Sequence, residues 1–421
     1  MHKNFLSVWL IYWAVIILLP VKSIYAATVQ AFFLQLTFVF FVLLAYGFLD
    51  LILNSRKIPK AASFEISRAL TIIKLALGMS LVGFILLIYD KIYIQGVDYS
   101  EGVAVAREQW RQLGEDRAGQ ASSVFSILGY LFGSAYYVAA VLAITQVKIL
   151  STSQRVGILL ACFLMVMVNS VITGGRSNVL LFGVFIIGAM ASRRELHFRK
   201  LLGGRMQRWI IMIATGLAAW YTIFVFYQRA DASELNGVEY LQDFLSFLGL
   251  EPVEWYKGLL DDGVLGSLSA MLVLAASYLT HSFATTAAII DAPVEDKTII
   301  FVHAVNILSK LGLASQSGDD WFLSGRFPSF PGALWHQFGG IGFVMGSLLL
   351  GAASAIAKAW TALRPNRLLP LGVFVMADVV LILTPLLFAG DFLSFPFIVA
   401  AFVLLAVVEK FLRPMPVVSI G

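Results

Sequence analysis

Thr173-Gly174-Gly175-Arg176-Ser177-Asn178 is a polar island between two apolar runs, 156–172 and 177–192. Runs of that length without charge or alternation satisfy their backbone in lipid only as helices. The pattern repeats on both sides of the island. Ten stretches read as spans: 5–20, 29–53, 69–89, 124–147, 156–172, 177–192, 209–226, 339–360, 370–388 and 396–411. The chain of 421 residues is 59% hydrophobic and 13% charged, where a soluble protein carries about a quarter charged residues. The expected class is therefore all-α, a polytopic helical bundle forming one membrane domain over residues 1–421.

Charge fixes the expected orientation. With the N-terminus cytoplasmic, 18 of the 30 Lys and Arg fall in short inner segments, among them Arg56, Arg68, Arg155, Arg193, Arg194, Lys358, Arg364 and Lys410. Short basic loops stay inside. Most carboxylates fall in two long outer segments, 90–123 and 227–338. Residues 1–27 imitate a secretory signal, but Ile24 is large where a cleavage site wants a small side chain, so an uncleaved first span is expected. Stretch 264–290 is apolar enough to span, yet one extra crossing would turn Arg364 and Arg367 outward. It is therefore expected as an extra amphipathic or re-entrant helix packed on the outer (periplasmic) side.

The island is where chemistry is expected. Arg176 is permanently charged and lies in a turn too short to be a solvated domain. Gly175 lets backbone amides approach a ligand, and Ser177 and Asn178 are good caps for a helix start, which favours anions. A guanidinium beside such a start holds phosphate; a snorkelling arginine is the blander alternative. Arg107 and Arg111, at i and i+4 in the first outer segment, share one helical face. They form either a basic edge for a polyanion or a solvated face.

The run Ser317–Gly342 is aromatic and rich in Gly and Pro, and leads straight into a span. Arg326 is a second candidate for pyrophosphate or sugar contact there, and Trp321 and Trp335 have faces on which a sugar can stack. Asp319-Asp320 has no second ligand cluster to complete a metal site. His281, with Tyr278 at i−3, and His336 are the two candidates for a proton acceptor. Glu254 is a loop carboxylate that could serve instead. Asp378 lies inside a span, either on a proton path or paired with a neighbour such as Lys74. One cysteine excludes a disulfide framework or thiolate cluster, and the spread of charge does not suggest nucleic acid. No cofactor fingerprint is present.

With Gly174-Gly175-Arg176-Ser177-Asn178 between mid-chain spans, a large outer segment beyond, and Phe327-Pro328-Ser329-Phe330-Pro331-Gly332 before Phe338-Gly339-Gly340-Ile341-Gly342, the chain resembles the Wzy-type O-antigen or oligosaccharide repeat-unit polymerases. Many members carry Asn-Phe-Gly where this chain has Gln337-Phe338-Gly339. The resemblance implies a glycosyltransferase working without metal or cofactor in the bacterial inner membrane, both termini cytoplasmic and active site facing the periplasm. Donor and acceptor would be glycans on undecaprenyl pyrophosphate within the membrane lipid, with a chain-length-regulating co-polymerase as partner. An O-antigen ligase shares the donor and differs in acceptor; a lipid-linked glycan flippase is the rival from another class.

Overall fold

The computed structural model describes residues 2–54, 66–100, 102–116, 122–146, 150–173, 177–192, 205–261, 263–291, 300, 327–364, 366–392 and 394–412. It is an all-α polytopic membrane bundle. In chain order the helices are α1 (His2–Leu18), α2 (Thr28–Asn54), α3 (Ile66–Tyr89), α4 (Val103–Asp116), α5 (Val124–Gly133), α6 (Tyr136–Thr145), α7 (Thr152–Thr173), α8 (Ser177–Ala191), α9 (Arg205–Ala232), α10 (Gly237–Phe247), α11 (Glu254–Leu260), α12 (Gly263–Asp291), α13 (Phe330–Leu363), α14 (Leu368–Leu383) and α15 (Ser394–Phe411). Strands β1 (Val21–Ser23) and β2 (Leu250–Pro252) pair antiparallel, Lys22 opposite Glu251. Among the described residues seven helices are long and apolar enough to cross a membrane, and Lys3–Leu18, Asn178–Ala191 and Leu368–Leu383 are shorter apolar helices.

The chain gathers into two compact units. The first comprises Met1–Leu49, Ala218–Ala353 and Val380–Asp391; the second comprises Asp50–Leu217, Ser354–Val379 and Phe392–Gly421.

In the first unit α12 is an unbroken helix of 29 residues. Of its spanning window 67% is buried, against 22% for α2. It is thus a largely buried helix of this unit, and of the two forms expected for 264–290 the hairpin is not adopted. The sequence explains why. Ser277, Ser282, Thr285 and Thr286 are almost fully buried, and hydroxyls in an apolar interior need partners. Tyr12 Oη lies 2.6 Å from Ser282 Oγ, which donates to the Pro385 carbonyl at 2.6 Å. Thr286 Oγ1 lies 2.8 Å from Ser329 Oγ.

The reversal occurs instead in α13. Gly339 has φ 66° and ψ −168°, a region essentially confined to glycine. Phe38 packs on both Phe330 and Phe343, at 5.9 and 6.5 Å between ring centroids. In a straight helix those two residues would be roughly 20 Å apart. Leu334 reaches back to Gly346 in the same way. Residues 330–338 therefore form a short re-entrant helix folded against 340–363. Its start is tied at depth: Phe330 N–H donates to the Thr384 carbonyl at 2.9 Å and Ser329 N–H to Thr286 Oγ1 at 3.2 Å. The Thr384 and Pro385 carbonyls are available because α14 ends at Leu383, just before the proline. Ile300 N–H donates to Gln337 Oε1 at 2.7 Å. Nine residues beyond the end of α12, the chain is thus back beside the reversal.

In the second unit every residue of α6 is buried. Around it pack α3, α7 and α8. Stretch 124–147, expected as one span, is long and apolar enough to cross as one, with a local break at Ser134–Ala135. Glycines bring α3 and α5 together: a Cβ on Gly83 would lie 2.1 Å from the Gly133 nitrogen. One end of this unit is charged. Glu409 meets Arg68 at 3.7 Å and Arg367 at 4.0 Å, and accepts from Leu368 N–H at 2.9 Å. Lys358 pairs with Asp50 at 2.5 Å.

Gly339→Ala should cost roughly 1–3 kcal/mol, the range for backbone strain at such a position. A thermal unfolding scan of the purified protein in detergent reads this as a lowered Tm, with Gly340→Ala affected far less.

Candidate functional site

The second unit positions the polar island. Residues 174–176, and with them Gly175 and Arg176, lie outside the described residues, as does the Ser177 side chain. Both flanks are clear. α7 ends at Thr173 and α8 begins at Ser177. Asn178 Nδ2 donates to Thr173 Oγ1 at 3.3 Å, which itself donates to the Asn169 carbonyl at 2.8 Å. Ser394 Oγ, at the start of α15, donates to Asn178 Oδ1 at 3.3 Å, and Tyr137 Oη to the Asn178 carbonyl at 3.3 Å. Asn178 is 6% exposed. Its side chain staples the flanks of the turn through one N–H and one lone pair of the amide, and keeps a second of each.

The first outer segment is anchored at this same end. After α3 comes one π-helical turn, Asp90–Ile94, with Asp90 and Lys91 buried. Asp90 accepts from Ser122 Oγ at 2.8 Å, from Ser123 Oγ at 2.6 Å and from Gln95 Nε2. Lys91 Nζ lies 3.3 Å over the Trp110 ring of α4, a cation–π contact. Tyr99 Oη donates to the Ile172 carbonyl at 2.7 Å, one residue before α7 ends. These ties bring α4, and thus the backbone carrying Arg107 and Arg111, to the end of α7. Arg107 is half-buried; the Arg111 side chain lies outside the described residues. Serines followed by a helix start, after a buried Asp-Lys pair, are the sequence signal for this anchor, and hydropathy alone passes over it.

In the first unit the two histidines belong to different helix faces. Tyr278 packs its ring on Phe226 at 5.8 Å and Phe244 at 6.1 Å, towards α9 and α10. His281 shares that face, 5.7 Å from the Tyr278 ring. Its Nδ1 is 2.6 Å from the Tyr278 carbonyl. A carbonyl only accepts, so Nδ1 carries the proton and Nε2 of the neutral ring holds the lone pair. His336 is on the re-entrant helix, which packs against the Ser282 and Thr286 face of α12, and it is 9% exposed. Trp335 is 41% exposed and meets Phe343 edge-on at 6.2 Å. Trp321, Arg326, Asp319 and Asp320 lie outside the described residues.

Three carboxylates separate clearly. Glu254 forms an exposed pair with Lys257 at 2.8 Å, and that hydrogen bond and charge hold its carboxyl below the usual range. It is a poor base. Asp378 is fully buried with neither carboxylate oxygen partnered among the described residues, while Lys74 is exposed, so the two do not pair. Asp391, in the short turn that follows α14, is buried with Oδ2 lacking a partner among the described residues, and burial pushes its carboxyl up to about 8. Among the described residues no three His, Cys, Asp or Glu gather as a metal site.

No family model, no curated protein and no solved structure matches this chain.

Two stability measurements follow. Asn178→Ala removes two side-chain hydrogen bonds and should cost about 1–2 kcal/mol, seen as a lower Tm, whereas Arg176→Ala should leave Tm unchanged. Asp391 holds its proton more tightly folded than unfolded, so its contribution is full below about pH 4 and is lost as pH rises towards 8. Tm of the native chain should therefore fall more steeply between pH 5 and 8 than that of Asp391→Asn.

Proposed function

We propose that the chain is a metal-independent glycosyltransferase of the bacterial inner membrane that polymerises a surface polysaccharide, moving a growing glycan from undecaprenyl pyrophosphate to a lipid-linked repeat unit. The observation that carries this is the stapled turn around Arg176, with the arginine-bearing α4 anchored to the same end of α7. Cleaving a sugar–pyrophosphate bond requires the departing charge to be held, and guanidinium groups do this without a metal. The flanks Thr173 and Asn178 are held by side-chain hydrogen bonds, and a charge carried between fixed flanks would cost less to position than one on a free loop. Arg326 and the exposed Trp335 would extend contacts to pyrophosphate and sugar. His281, with its Nε2 lone pair, would take the proton of the acceptor hydroxyl; His336 is the alternative base. In this reading the turn faces the periplasm and the charged end, with Arg68, Arg367 and Lys358, faces the cytoplasm.

One observation favours a second reading. In the first unit one helix is broken at Gly339 and another ends just before Thr384–Pro385, and a hydrogen bond from Phe330 to the Thr384 carbonyl joins the two. Interrupted helices also build the substrate sites of transporters, so a lipid-linked glycan flippase is the competitor. The O-antigen ligase is the nearest alternative among enzymes.

Lipopolysaccharide from a deletion strain distinguishes all three. A polymerase loss leaves a single repeat on the core, a ligase loss leaves none while polymer accumulates on the lipid carrier, and a flippase loss traps repeat units on the cytoplasmic side. Complementation with Arg176→Ala should restore no long chains. Arg176→Lys should also be impaired, by roughly tenfold or more, because a point charge does not replace a bidentate fork. Normal ladders from both variants would refute the assignment.

A further inference from the structure

The second unit carries a groove far from the stapled turn that none of the foregoing uses. It runs along α3 beside α5, holds about 470 Å³, and is bordered by Thr71, Lys74, Gly78, Met79, Val82 and Phe132. Its wall is apolar except at one end, where Lys74 lies. Lys74 is exposed, six residues into the candidate span Arg68–Ile94, and makes no ion pair with any acid among the described residues. A lysine in that place is costly unless its charge finds an anion or reaches the interface.

Geometry indicates which anion. Helical side chains lean towards the helix N-terminus, and for α3 that is the charged end, where Arg68 meets Glu409. From Thr71 to Val82 the groove covers roughly 16 Å of helix. That is about half the hydrocarbon thickness of a bilayer, hence one leaflet. Gly78 leaves its floor bare: a Cβ there meets nothing within 4 Å. A cation at headgroup level above a bare, apolar trough one leaflet deep matches the shape and charge of a single lipid.

We propose that this groove binds an anionic diacyl phospholipid from the leaflet at the charged end, Lys74 holding the phosphodiester and the Gly78–Val82 trough an acyl chain. The proposal does not depend on the glycosyltransferase reading. The test is native mass spectrometry of the full chain released from nanodiscs holding equal phosphatidylglycerol and phosphatidylcholine of matched acyl chains. One lysine near an anionic headgroup supports roughly a fivefold preference for phosphatidylglycerol. Lys74→Ala and Gly78→Leu should each bring the ratio near one, Lys74→Arg should keep it, and Tm should stay unchanged in all three. A preference that survives Gly78→Leu would mean attraction to the interface without a groove and would overturn the proposal. So would a preference that survives Lys74→Ala, a second copy of the chain occupying this face, or displacement of phosphatidylglycerol by an equal amount of undecaprenyl phosphate.

Discussion

In an apolar solvent a backbone N–H or C=O must find its partner within the protein, and every irregularity of this fold is shaped by that requirement. A helix meets it alone. Where a helix stops inside the bundle, the freed groups must be met by another interruption. The first unit does this twice in one place. α14 ends before Pro385 and frees two carbonyls; the re-entrant 330–338 begins nearby and frees amides. Thr384 takes the amide of Phe330, Pro385 takes the hydroxyl of Ser282, and Thr286 and Ser329 close the remainder. Each break is tolerable because the other exists.

The same economy explains why α12 is central. Buried hydroxyls cost free energy in an apolar interior. Ser282 and Thr286 meet theirs against α1, the start of the re-entrant helix and the end of α14, while Thr280 and Thr285 donate to carbonyls of α12 itself. In the second unit Asp90 is met by three side chains and the Lys91 charge by an aromatic face, so two charged groups are buried at the end of α3.

Hydropathy made the helices legible, because lipid demands long apolar runs and little else. It could not tell which face of such a run meets lipid and which meets protein. α6 and α2 are equally apolar to the eye, yet one is wholly buried and the other mostly bare. Nor could it choose among Gly339, Gly340 and Gly342, of which only the first has a positive φ. Charge balance pointed to a reversal near 264–290, where an extra crossing would turn Arg364 and Arg367 outward, while the glycine that turns the chain is Gly339, further on. At the candidate site the polar island was legible as an anomaly. The anchoring of α4 to it rests on Tyr99, Asp90 and Ser123, ordinary residues in sequence that acquire meaning only through their partners.

The staple at Asn178 has a consequence for how the chain is made. Thr173 and Tyr137 reach Asn178 from nearby in sequence, but Ser394 reaches it across 216 residues. Helices enter the membrane in order of synthesis, so α7 and α8 are in place long before α15. Until α15 arrives, the turn that carries Arg176 is held from one side only. A nascent or shortened chain ending before α15 thus has all the residues of the turn and lacks its geometry. The flank of the turn has its full set of partners only once α15 is in place.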